Sequence, residues 1–326
     1  MWEPLAPPAH DHDTTPLQTP ADALVETLST LARRQREHRA RTVHRLTLVI
    51  DSALLPAQLH DMALYYRAKA YRDIGRSQES RHGYQQVADS AGRLAPAARR
   101  GLAQAARLAG DFPTALAAAQ TLGWEGRHQR VLGDLYWLQG EPARAAAAYL
   151  AGRTEAEQHT KSGEAAHNQA LRALATAFHD PHQADDELAL AQQLLSNLNL
   201  RASTLNAAIA ALIRDAGTPS LNDRVQALRT EIDAAGLTST TPTLELAAAF
   251  HHAVLGDDAV AATISRLHDL TRDGDYAYYT DIAHFMAALP LPHPSPTRWL
   301  DGPEATRDRW RTLVTDRRHH LAAGPR

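Results

Sequence analysis

Residues 131–152 read VLGDLYWLQGEPARAAAAYLAG, and their spacing decides the fold. Leu132, Gly133 and Tyr136 share one helical face, and Ala145 and Tyr149 repeat that spacing after a break. The break is Gln139-Gly140-Glu141-Pro142. It puts a glycine where a helix C-cap needs one and a proline in the first turn of the next helix. The stretch is a helical hairpin, and Gly133 and Ala145 are expected to face each other at close approach.

One hairpin cannot bury its apolar face alone, so copies should adjoin it. In a first copy, Met62 to Gly92, Leu64, Ala68 and Tyr71 precede Gly75, and Ser80, Tyr84 and Val87 follow. In a second, Leu102, Ala103 and Ala106 precede Gly110, and Ala115, Ala119 and Leu122 follow. The turn glycines Gly75, Gly110 and Gly140 are 35 and 30 residues apart. That interval is close to the tetratricopeptide period of about 34 residues.

Residues 62–152 therefore resemble three tetratricopeptide repeats. The matching positions are Leu64, Ala68, Tyr71, Gly75 and Tyr84, then Leu102, Ala103, Gly110 and Ala115, then Leu132, Gly133, Tyr136, Gly140, Ala145 and Tyr149. Arg67 and Ser80 depart from a usually apolar and an alanine position, the second repeat has a short second helix, and the closing proline of the consensus is missing. The wider array is similar to the C-terminal helical-repeat sensor arrays of bacterial signal-transduction ATPases and regulators. The chain contains no GxxxxGK[ST] nucleotide-binding loop.

Composition agrees with close helix packing. Aromatics make up 6% of the 326 residues, and much of the 44% hydrophobic fraction is alanine, whereas sheets favour branched and aromatic side chains. A net charge of −3 argues against a surface made wholly for nucleic acid. Of 34 basic residues only Lys69 and Lys161 are lysine, which suggests a GC-rich bacterial genome. With no cysteine, disulfides and thiolate metal sites are excluded. No apolar run is long enough to span a bilayer, and residues 1–20 lack a signal peptide's basic and apolar regions. A cytoplasmic protein without a membrane partner is expected.

The organisation follows from the punctuation. Residues 1–20 form a proline-rich leader and 21–289 a helical-repeat array, beginning with Leu24, Leu28 and Leu31 and resuming at Val43, Leu46 and Ile50. After the three repeats come the pairs 164–178 with 184–198, 202–215 with 222–235, and 243–255 with 259–272, then a lone helix over 276–289. Residues 290–303, PLPHPSPTRWLDGP, read as an extended strap that holds a final polar helix, about 304–321, onto the array. The predicted fold is all-α: a right-handed α-solenoid of stacked antiparallel helix pairs with a capping C-terminal helix.

No catalytic residue, cofactor or metal site emerges. His10-Asp11-His12-Asp13 lies in the leader with nothing to orient it. His251 and His252 point about 100° apart on a helix. His179-Asp180-Pro181-His182 suits a helix junction, and Asp185-Asp186-Glu187 suits the positive end of a helix dipole in its first turn. Arg33–Arg45 carries six arginines and two histidines against one glutamate but no aromatics for base stacking. It reads as a helix packed against the first repeat, not as a nucleic-acid contact.

The tetratricopeptide resemblance implies a concave groove lined by the first helix of each hairpin. It points Tyr65, Lys69 and Arg72 inward, then Arg100, Gln104 and Arg107, then Arg130, Asp134 and Trp137. Carboxylate-clamp members of that family use asparagines in the groove, and Gln104 and Asp134 stand in their place here. Acidic residues at i±4 are scarce around Arg100 and Arg107, so these arginines are expected to be unpaired. The function this implies is a non-enzymatic scaffold, regulatory in role, that binds an acidic protein segment in a basic groove. The alternative is a module that senses a ligand or peptide and controls an attached or partner effector, an NTPase or a transcription regulator.

Overall fold

The structure, a computed structural model, describes residues 19, 21–24, 26, 37–74, 76–235, 237, 240–272 and 276–323. Apart from Thr19, the expected leader lies outside these, as do Gly75 and residues 27–36, which include the start of the arginine-rich segment. The helices are α1 (Glu37–Asp51), α2 (Ala57–Asp73), α3 (Ser77–Asp89), α4 (Ala95–Leu108), α5 (Phe112–Gln120), α6 (His128–Leu138), α7 (Pro142–Gln158) and α8 (Ser162–His179). They continue with α9 (Pro181–Leu195), α10 (Arg201–Arg214), α11 (Leu221–Ala235), α12 (Thr241–Leu255), α13 (Ala259–Leu270), α14 (Ala277–Met286) and α15 (Gly302–Ala323). Among the described residues there is no strand, only an isolated parallel bridge between Asp111 and Arg298.

Neighbouring helices pack in series, giving an all-α helical-repeat solenoid. The even-numbered helices form a second series, α2 on α4, α4 on α6, α8 on α10, α10 on α12 and α12 on α14. α14 then reaches back across the array. The Tyr276 N–H beside it donates to the Leu108 carbonyl at 2.9 Å, and Tyr279 lies 6.1 Å from the Trp137 ring. Because α14 meets α4 and α6 as well as α12, the even-numbered helices face a common interior.

Local sequence explains the hairpins. Gly110 and Gly140 adopt φ of +73° and +74°, the left-handed turn that glycine enters without strain. Asp111 accepts a hydrogen bond from the Thr114 N–H to cap α5, and Pro142 opens α7. At the crossing of α6 and α7 the partner of Gly133 is Tyr149, not Ala145: a Cβ on Gly133 would sit 2.5 Å from the Tyr149 ring. Gly101 meets Tyr84 at the same 2.5 Å. In each case the glycine makes room for a buried tyrosine. Tyr149 needs that room because its hydroxyl bonds Asp134.

The C-terminal segment runs along one edge of the solenoid. In the strap, the Arg298 N–H donates to the Gly110 carbonyl at 2.8 Å, and its own carbonyl accepts from Phe112 at 3.1 Å. Asp281, largely buried, accepts from the hydroxyls of Ser295 and Thr297. Burial pushes its carboxyl above the usual range, while those hydroxyls pull it down.

From there α15 crosses the last turns of four inner helices. Trp310 Nε1 donates to Leu138 at 3.2 Å and Arg309 Nε to the Gln139 carbonyl at 2.8 Å, closing α6. Arg317 donates to Ala177 of α8 and, at 2.8 and 2.9 Å, to Ile213 and Arg214 of α10. Arg318 donates to Ala253 and, at 3.0 Å, to Val254 of α12. The last carbonyls of a helix have no partner within it and carry its negative dipole end, so a cationic donor satisfies both needs. The C-terminal helix thus caps the array along its edge, across several repeats, not on the last repeat alone. Arg317 is 3% exposed, and burial lowers its pKa to about 10, against the pull of Asp215 and Asp180, so it stays charged near neutrality.

The core follows this closure. Trp137, Phe178, Phe250 and Trp310 form an aromatic chain, with Phe178 5.1 Å from Phe250 and 5.2 Å from Trp310. This cluster extends from α4 to α15, whereas the buried residues of α1, α2 and α3 form two smaller clusters.

Candidate binding site on the inner face

Side chains on the inner helices form a ladder of polar contacts. Gln104 Nε2 of α4 donates to Asp134 Oδ2 of α6 at 3.3 Å, and Arg130 of α6 meets Glu164 of α8 at 2.9 Å. His167 Nδ1 of α8 lies 2.8 Å from Ser203 Oγ of α10, and Thr243 Oγ1 of α12 lies 3.2 Å from the Tyr279 hydroxyl of α14. These pairs are 30, 34, 36 and 36 residues apart, about one repeat each. The rungs therefore join successive repeats at equivalent heights.

The ladder is densest between α4 and α8. Arg107 Nε donates to Gln104 Oε1 at 3.0 Å, and the Tyr149 hydroxyl donates to Asp134 Oδ1 at 2.8 Å. Glu164 also receives Arg127 at 3.5 Å and the Asn168 amide at 3.2 Å. Burial works against the charge of Arg107, but Tyr278, Asp134, Tyr279 and Tyr276 together raise its pKa. Burial lowers the pKa of Arg130, with Glu164 opposing it and the nearby charges of Arg100 and Arg127 adding to the drop. His167 falls to about 4 through burial and the adjacent Arg130, so its ring is neutral at pH 7. Burial and Asp134 hold the Tyr149 phenol well above its ordinary value.

Of the residues expected to line the groove, Gln104, Arg107, Arg130 and Asp134 come together in this network. Arg107 and Arg130 are not unpaired. Arg107 bonds the neutral amide of Gln104 on its own helix and feels the charge of Asp134 on α6, and Arg130 finds Glu164 on α8, so the carboxylates lie beyond the reach of an i±4 search. Trp137 is not a groove residue either: it is 5% exposed, stacked on Phe178 and tilted against Tyr279. The groove pattern takes no account of α14, which covers this end of the inner face. Tyr65, Lys69 and Arg72 lie half-buried on α2, one repeat before the ladder, with Tyr65 edge-on to Tyr84 at 5.6 Å.

Arg100 differs from the rest. It is half-buried and close enough to Arg130 to feel its charge, yet among the described residues it has no hydrogen bond or ion pair. Tyr149, Glu164, His167, Ser203 and Tyr279 were not expected at this face. For all but Tyr149, which bonds Asp134 only 15 residues away, the signal is the repeat spacing itself, since each rung partner lies about one period from the other.

The remaining candidates resolve into structural roles. Asp180 caps α9, accepting from the Gln183 N–H at 2.9 Å. Asp185-Asp186-Glu187 falls beyond the first turn of α9, so the dipole does not explain it. Asp185 instead pairs with Arg214 at 2.6 Å and buried Glu187 with Arg172 at 2.6 Å. His251 Nδ1 accepts the Gly217 N–H at 3.0 Å, and His252 faces Asp257 at 3.1 Å. Arg45 lies 3.8 Å from Glu26. Among the described residues no cluster of three or more potential metal ligands occurs, and no helix is long and apolar enough to cross a membrane.

Fold and ladder together define an all-α helical-repeat solenoid with a polar inner face. Against known proteins, the chain matches no family model, no curated protein and no solved structure.

Proposed function

We propose that the chain is a non-enzymatic interaction module, cytoplasmic and regulatory in role, that binds an acidic protein segment on the inner face between α2 and α6. The observation that carries this reading is Arg100. Neighbouring Arg107 and Arg130 have Gln104, Asp134 and Glu164 to answer them, whereas Arg100 keeps a recessed charge beside Arg130 with no partner among the described residues. Like charges held together in a partly desolvated groove are stabilised by an anion that enters it. A carboxylate is the simplest such anion, and guanidinium accepts it bidentately. Lys69 and Arg72 on α2 add two further basic side chains in the preceding repeat.

A second reading, a sensing module acting on an effector, is favoured by α14. A ligand seated against Arg107 adjoins Tyr276, Tyr278 and Tyr279, which connect through α14 to the strap at Asp281. Binding would then bias the C-terminal edge.

The test uses a labelled hexaglutamate peptide and fluorescence anisotropy. Wild type should bind it with an affinity that falls as salt rises. Arg100→Glu should abolish binding and leave the urea midpoint unchanged. Arg107→Glu is a poor substitute, because it would set a second carboxylate beside Asp134. Undiminished binding by Arg100→Glu, or no binding by wild type, overturns the reading.

A further inference from the structure

Away from the inner face, a surface cleft of about 490 Å³ opens between the end of α14 and the start of α15. Phe285, Leu289, Pro290, Leu291 and Pro303 give it an apolar wall. Its polar side comes from Glu304, Arg307 and Arg311, and the two arginines stand four residues apart on one face of α15, leaving one positive charge in excess. Ala288 turns the wall into place with a left-handed φ of +56°.

Arg311 breaks the rule that α15 otherwise follows. Arg309, Arg317 and Arg318 all have carbonyl or carboxylate partners. Among the described residues Arg311 has neither, and its Nε is shut off from water with no acceptor. The only ion pair of Arg307 among these residues is with its exposed neighbour Asp308, at 3.4 Å. Two arginines at i and i+4 repel each other, and a buried donor without an acceptor is costly. A carboxylate between the two guanidinium groups would relieve their repulsion, while the adjoining wall offers nothing to a fully hydrated ion.

We propose that this cleft binds a small amphipathic carboxylate, its head on Arg311 with Arg307 beside it and its apolar body along Leu289 and Leu291. A guanidinium presents paired N–H groups that match a carboxylate. The volume is in the range of small-molecule sites, roughly 300–1,000 Å³. This site stands on other residues than the Arg100 face and does not depend on it.

Sodium octanoate is the probe, followed by calorimetry or chemical-shift titration on the full chain, with octanol as the uncharged control. Octanoate should bind saturably, and octanol and the Arg311→Gln variant should each weaken binding about tenfold or more, as loss of a charged hydrogen bond implies. Hexaglutamate binding should be unchanged in Arg311→Gln. Leu291→Asp, which places a charge in the wall without touching α15, should also lose octanoate. Equal binding of octanol, undiminished binding by Arg311→Gln, or no saturable octanoate binding would overturn the proposal. So would failure of octanoate where a peptide ending in a leucine carboxylate binds, which would make the cleft a peptide-docking site.

Discussion

Arginine does opposite work on the edge of this array and on its inner face. Along the edge, Arg309, Arg317 and Arg318 aim at main-chain carbonyls that end α6, α8, α10 and α12. Those carbonyls cannot be satisfied inside their own helices, so the backbone supplies the acceptors, and Arg309 adds the carboxylates of Asp301 and Glu141. On the inner face, Arg107 is answered by Gln104 on its own helix and Arg130 by Glu164 of the next repeat, and among the described residues Arg100 has no hydrogen bond or ion pair. The difference separates charge spent on closing the fold from charge left over for a ligand.

The most severe way to break the edge is to remove its largest anchor. Trp310 is fully buried, lies edge-on to Phe178 and donates to Leu138. Trp310→Ala should cost about 3–5 kcal/mol, measured by urea denaturation. A loss under about 1 kcal/mol would mean that α15 is not integral to the core.

Close approach within the hairpins gives a smaller effect with a built-in control. Gly133→Ala drives a Cβ to 2.5 Å from the Tyr149 ring. The overpacking, about 1–3 kcal/mol, should outweigh the helix propensity gained, about 0.5–1 kcal/mol. Gly163→Ala meets nothing nearer than Leu200 at 3.7 Å and should stabilise slightly. Equal signs for the two variants would show that the crossing is looser than the geometry implies.

Acid probes the ladder. His167 titrates near 4 when folded and near its ordinary value of 6.5 when unfolded. Between those values the unfolded chain binds the proton and the folded chain does not. Stability should therefore fall as pH drops from about 6.5 to about 4, by on the order of 2 kcal/mol from this group. His251, also lowered by burial, acts in the same direction. Replacing His167 by Gln should flatten the slope of denaturation midpoint against pH. An unchanged slope would place His167 in water.

Local chemistry made the hairpins legible before the structure. Turn glycines, proline starts and small residues at helical spacing act over a few residues, and Gly110, Gly140 and Pro142 behave as those rules require. The site was only partly legible, because its partners are a repeat away: Gln104 finds Asp134 after 30 residues and Arg130 finds Glu164 after 34. Trp137 was misread because the helix that buries it lies about 140 residues downstream, and nothing in its own repeat encodes that. The arginines of α15 escaped notice for a different reason. Their acceptors are backbone carbonyls, which no pattern of residue types displays.

One paired measurement tests the division between the two arginine sets most directly: urea denaturation of Arg317→Met beside Arg100→Met. Arg317→Met abandons three carbonyls at the ends of α8 and α10 and should lose roughly 3 kcal/mol. Arg100→Met removes a charge that repels Arg130 and should stay within about 0.5 kcal/mol of wild type. Comparable losses in the two variants would contradict the account, since both arginines would then be structural and none would remain for a ligand.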